Sequence, residues 1–277
     1  MRSTTGSATM SRGLRASLLG FTVLVLVVVY TPLVLVVVNS FNVDRTFTWP
    51  PPDLTLHWWD AAAHSQGARS ALWTSVEVAL AATAVSLVLG TLAGLALRRT
   101  RFFGRNVVSL VIILPIALPG IVTGIALSNA FTTILGVELS LFTVVVAHAT
   151  FCIVTVFNNV QARLQRLGGN LEQASMDLGA GPFTTFRLVT FPMLRSALLA
   201  GALLSFGLSF DEIVVTTFTI SATDQTLPIW IFQNLFRPSQ GPVVNVVAAV
   251  LVILSAIPIY LAQRLSGSHS EGLTGAR

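Results

Sequence analysis

Two adjacent carboxylates, Asp211 and Glu212, lie well inside the apolar stretch 194–218. An acidic residue at the centre of a membrane helix costs about 2.5–3.5 kcal/mol on insertion scales, so it should face a bundle interior or water. Two chemistries fit. The carboxylates could line a translocation path and attract a cationic solute, because they pair well with an alkyl-ammonium group. They could equally cap a half-helix where the span breaks, since Ser209-Phe210-Asp211-Glu212 has the capping-box pattern. Neighbouring helix positions point in different directions, so one residue can serve each role.

Other reactive side chains offer less. His148 and Cys152 stand one helical turn apart, and two such residues without further ligands do not hold a metal. Core packing with a satisfied imidazole is expected instead. Glu77 sits where pairing with Arg69 across two turns is open, and Asn158 and Asn159 suit interhelical hydrogen bonds. Pro115, Pro119 and Gly120 fall mid-span, where proline removes a ladder hydrogen bond and bends the helix. They are candidates for a gate or a fixed kink. There is no Ser/His/Asp constellation, no HExxH motif and no Walker-type phosphate loop, so the chain has no means of hydrolysing ATP.

The elements that must position these residues follow from composition. Hydrophobic residues make up 53% of the 277, charged residues only 10%, and mean hydropathy is +0.79. Soluble domains carry about 25% charged residues, so the chain reads as an integral membrane protein. The net charge of +5 does not point to nucleic acid, because topology spreads it along the chain. One cysteine excludes a disulfide framework.

Six spans are expected, at 16–39, 71–97, 106–131, 139–162, 194–218 and 244–264, all helical because hydrocarbon leaves the backbone no other partner. With segment 1–15 inside, Arg2, Arg12, Arg15, Arg98, Arg99, Arg101, Arg105, Arg163, Arg166, Arg187, Arg195, Arg264 and Arg277 are cytoplasmic, leaving only Arg45, Arg69 and Arg237 outside. That asymmetry puts both termini in the cytoplasm, with a tail at 265–277. Gly90 and Gly94 mark a small-xxx-small packing face. Trp49, Trp58 and Trp59 suit anchoring at headgroup level, and Leu227–Phe232 suits an external amphipathic helix.

The largest cytoplasmic segment, 163–193, is polar and glycine-bearing between two spans. Asn170 is placed to cap a short helix with Glu172 in its first turn. Gly179 and Gly181 allow a bend. Pro182 opens a second helix with an apolar face of Phe183, Phe186, Leu188 and Phe191, and Pro192 stands at the membrane boundary.

Glu172, Ala174, Gly179 and Pro192 fall where importer-type ABC permeases have the Glu, second Ala, Gly and closing Pro of their "EAA" loop; Gln173 departs from it. Residues 102–128, 148–161 and 205–219 extend the resemblance. They look like the second permease subunit of the spermidine/putrescine (polyamine) class of ABC importers, in its less characterised branch. One departure concerns cargo: an acidic residue often follows the third-span proline in that class, and here it is Gly120.

The resemblance implies an all-α, six-helix type I ABC importer permease with a MetI-like transmembrane domain over 16–264, in a bacterial inner membrane. It implies a homologous second permease subunit, an ATPase homodimer docked at Glu172–Pro192 and holding ATP and Mg, and an extracytoplasmic substrate-binding protein meeting the chain near Leu227–Phe232. Putrescine or spermidine is the expected cargo, with 4-aminobutyrate or an amino acid next. A self-sufficient ion-coupled transporter would need repeated halves and coupling charges in broken helices. The first half supplies only Glu77.

Overall fold

The computed structural model describes residues 12–45, 48–99, 103–167, 170–237 and 240–267. Arg2, Arg101, Arg277, most of segment 1–15 and residues 268–277 of the tail lie outside the described residues. Among the described residues the regular structure is helical, with one isolated bridge between Asn42 and Leu54.

Five helical runs are long and apolar enough to cross a membrane, and a bent helix pair makes a sixth span if counted as one. The first helix, α1 (Arg12–Asn39), is apolar all round, as a lipid-facing span should be. Its side chains from Gly13 to Leu33 are exposed, and it packs on the last helix alone to any extent. A short external helix, α2 (His57–His64), leads into α3 (Gln66–Arg99). The tryptophans near α2 do more than anchor. Trp58 donates Nε1–H to the Asn42 carbonyl at 3.0 Å, and Trp59 stacks on Phe41 at 5.2 Å.

The expected third span is two helices, α4 (Arg105–Ala117) and α5 (Gly120–Asn129), with a π turn at Ala130–Ile134 after α5. The halves are bent by 106°, so the kinked single helix expected over 106–131 is corrected to a break. Proline disfavours helical backbone at the residue before it, and Leu118 before Pro119 is extended, at φ −83° and ψ 145°. Pro115 stays inside α4 and is not the breaking residue.

The bundle centre is α6 (Leu141–Leu167), and its contact with α3 is the most extensive in the molecule. A Cβ on Gly90 would meet the Ile153 carbonyl and Val156 Cβ at 2.9 Å, and one on Gly94 would meet Val160 Cγ1 at 2.8 Å. The small-residue face is thus where α3 closes on α6. After α7 (Asn170–Asp177), α8 (Pro182–Thr185) and a π turn at Phe186–Thr190 comes α9 (Phe191–Phe210). A proline ring clashes with the carbonyl four residues back in an α-helix. The wider π turn before Pro192 relieves that clash, with Phe191 N–H bonded to the Phe186 carbonyl.

The expected fifth span, 194–218, is also broken: α9 ends at Phe210 and α10 (Val214–Thr219) follows a three-residue gap. α11 (Leu227–Asn234) forms where an external helix was expected, burying Leu227 and Trp230. α12 (Gly241–Gly267) packs on α9 and α1. The interior cluster gathers Ala68, Ala79, Phe210, Leu227, Trp230 and Val244.

Candidate functional site

The candidate residues sit at the two ends of α9. At one end is the polar loop. Gly179 adopts φ +88°, a left-handed turn that closes α7 and that few side chains tolerate. The turn is completed by Gly179 N–H to Met176 O at 2.9 Å and Ala180 N–H to Ser175 O at 3.1 Å. Asn170 is the first residue of α7 rather than its cap. Glu172 ties the two halves of the loop, its Oε1 accepting from Thr190 Oγ1 at 2.7 Å. Ser175 and Thr185 hydroxyls pair at 3.1 Å, and Arg163 Nε–H donates to the Met193 carbonyl at 2.9 Å. Ala174 and Pro192 are exposed. So are Leu178 at 89%, Phe183 at 75% and Leu188 at 67%. The loop is braced internally by polar ties and offers apolar side chains outward.

At the other end α9 runs into the break. Phe210 is buried and stacks on Phe206 at 5.6 Å, while Asp211, the next residue, is exposed. Glu212 Oε1 accepts from Val215 N–H at 2.8 Å and so caps α10. The capping box expected of Ser209 and Glu212 does not form, because Ser209 Oγ pairs with His148 Nδ1 at 2.7 Å. The two acids therefore separate, one a cap and the other an exposed carboxylate.

The third-span break lies against the fifth. A Cβ on Gly120 would meet Val214 Cγ1 at 3.3 Å, and one on Gly124 would meet Phe218 Cδ2 at 2.7 Å, so α5 seats directly on α10. The structure thus brings Pro119 and Gly120 to the Asp211–Glu212 break, a neighbourhood that sequence spacing does not reveal. It does not bring Glu77 there: Glu77 is exposed on α3, and among the described residues no ion pair joins it to Arg69.

Sequence reasoning undervalued α6. His148 Nε2 lies 2.9 Å from Thr216 Oγ1, Thr143 Oγ1 donates to the Thr219 carbonyl at 2.7 Å, and Cys152 and Ser205 exchange contacts at 3.4 and 3.3 Å. These partners are hydroxyls and carbonyls, which suits interhelical fastening rather than metal ligation. The available signal was the set of hydroxyl residues flanking the acids, Ser205 and Ser209 before them and Thr216 and Thr219 after. Asn159 bonds its own helix at the Thr155 carbonyl, 2.9 Å away, and Asn158 is exposed; among the described residues neither makes the interhelical hydrogen bond expected of the pair.

Residues 86–269 match the family described as binding-protein-dependent transport system inner membrane component. The chain belongs to this family. The permease is 30% identical over 257 residues to the spermidine/putrescine transport system permease protein PotC of Escherichia coli (strain K12), covering 92% of this chain and 96% of that one. It is 31% identical over 271 residues to the putrescine transport system permease protein PotI of the same strain, covering 94% of each.

Among solved structures it resembles an inward-facing MetNI methionine ABC transporter chain, with TM-score 0.59 and 19% identity over 71% of this chain and 93% of that one. It also resembles a chain of a bacterial ABC transporter that imports alginate, with TM-score 0.66 and 16% identity over 95% and 99%. These establish the type I, MetI-like permease fold. The permease is a multi-pass inner-membrane transport subunit, not an enzyme, and a self-sufficient ion-coupled transporter is not favoured.

Proposed function

We propose that this permease is one of two homologous membrane subunits of an ATP-driven importer of putrescine- or spermidine-like amines. The observation that carries the cargo is similarity along nearly the whole chain to two permeases of spermidine and putrescine systems. The exposed carboxylate of Asp211, at a helix break inside the apolar bundle, suits a cationic cargo. Gly120, where an acid often stands in the class, leaves more of the charge recognition to Asp211.

In this reading both termini and the loop 163–193 are cytoplasmic, within a permease domain over 16–264. An ATPase homodimer holding ATP and Mg docks on the loop through Leu178 and Phe183, around Ala174 and Gly179. A binding protein delivers cargo at the opposite face, near α11. Closure of the ATPase pair pushes the loop, and α9 carries the push about 30 Å to the Asp211 break. Pro119 and Gly120 shift with α10, exchanging access between the two sides.

The test is reconstitution of the complete transporter in liposomes, with ATP inside the ATPase compartment and radiolabelled solutes presented with the binding protein. ATP-dependent uptake of putrescine or spermidine, competed by the other amine, is expected. Uptake of 4-aminobutyrate alone would reassign the cargo and keep the machine. Uptake driven by an ion gradient without ATP would sink the reading.

A further inference from the structure

His148 is fully buried near the start of α6, yet both its ring nitrogens are engaged, and on opposite sides of the fifth-span break. Nδ1 lies 2.7 Å from Ser209 Oγ on α9, and Nε2 lies 2.9 Å from Thr216 Oγ1 on α10. Ser209 and Thr216 are buried too. The proton positions follow from the far end. Thr216 Oγ1 donates its single proton to the Glu212 carbonyl at 2.8 Å. With that proton so directed it offers only lone pairs to His148, and Nε2 carries the ring proton. Nδ1 is then bare and accepts from Ser209 Oγ–H.

The result is a one-way chain from the Ser209 hydroxyl through the ring to Thr216 and on to the Glu212 backbone. An imidazolium would present a second N–H to Ser209 and leave that buried hydroxyl's own proton without its present partner, which is costly. Thr143 to Thr219 and Cys152 to Ser205 fasten α6 to the same two helices beyond the chain, so it is set in a rigid frame. Phe210, locked in the core, fixes the start of the break.

We propose that His148 is a positioning residue of the translocation path. As the neutral Nε2–H tautomer it bridges the broken fifth span through Ser209 and Thr216, and so sets where the exposed Asp211 carboxylate stands for the cargo amine. The bridge stands on geometry alone; its effect on cargo rests on the function proposed above.

The test uses the assembled transporter, ¹⁵N-histidine labelled, with the His148 signals assigned by their loss in His148→Asn. Expected is one protonated and one bare ring nitrogen at neutral pH, the protonated one being Nε2. An Nδ1–H tautomer or an imidazolium overturns the bridge. In the second arm, Thr216→Val keeps shape and removes the acceptor. KM for putrescine uptake should rise about tenfold, while maximal uptake and ATPase stimulation by loaded binding protein stay within about twofold.

His148→Phe should raise KM similarly, and the double variant should be no worse than either single one. Additive effects, or an unchanged KM in Thr216→Val, overturn the positioning role. If His148→Phe does not assemble, Ser209→Ala takes its place in the cycle with the same expectation. If the wild-type transporter moves no amine while the Nε2–H tautomer is observed, the cargo reading has failed and the bridge stands.

Discussion

The two ends of α9 are built on opposite plans. At Phe191 the helix grows out of a loop whose polar ties, Glu172 to Thr190 and Ser175 to Thr185, are internal to the loop and whose apolar side chains point outward. At Phe210 it ends in a break whose apolar side chain points inward and whose polar groups are fastened by a different helix, α6. The first end leaves Leu178 and Phe183 uncovered, open to the ATPase docking proposed above. The second is complete within this subunit, save for the exposed Asp211. This division suits the proposed role of α9 as a rod: one end free for a partner, the far end held in a frame.

Several substitutions would break or sharpen the contrast. The largest effect is expected at the free end. Phe183→Asp puts a charge on the proposed docking surface, and co-purification of the ATPase and ATP-driven uptake should both fall more than about tenfold, as for loss of a central interface residue. Thermal stability of the isolated permease should be unaffected, because Phe183 is exposed; a fall there would mean that the side chain serves the fold.

Asp211→Asn is next. Amine uptake should weaken about tenfold in KM, with ATPase docking and folding intact, since a neutral side chain loses the charge-assisted contact. Unchanged uptake and unchanged ranking of amines would remove Asp211 from the path. Gly179→Val follows, because a non-glycine residue in left-handed backbone costs about 1–2 kcal/mol. It should loosen the loop and lower uptake several-fold, whereas Gly179→Asn should be milder. Equal losses would show that the turn is not the reason.

The smallest effect separates cap from path at the second acid. Glu212→Ala should cost about 1 kcal/mol as a lost helix cap, read in thermal unfolding. Glu212→Gln retains an oxygen for Val215 N–H and should cost less. If the two variants instead change amine KM equally and leave stability alone, Glu212 belongs to the path.

The loop was legible because its signals are local. Glu172 in a first turn, glycine at a bend and Pro182 at a helix start each act within a few residues, and α7, the Gly179 turn and α8 stand close to where those signals put them. The breaks were less legible. Pro119 announces a disturbance in the third span, but the size of the bend, 106°, and the seating of α5 on α10 are visible only in the fold. Ser209 carries a capping-box signature that a local reading must accept, and a histidine 61 residues away takes its hydroxyl instead.

Hydropathy by itself determined that this chain is a helical membrane protein with about six crossings, because a backbone in hydrocarbon has to satisfy its own hydrogen bonds. Local residue chemistry determined the helix–turn–helix of the loop. The tertiary structure alone decided how the two acids divide their roles, which breaks meet, and that α6 holds the fifth span together. Those outcomes depend on hydrogen bonds and close approaches between segments tens of residues apart, and no local pattern encodes which buried hydroxyl a distant imidazole will reach.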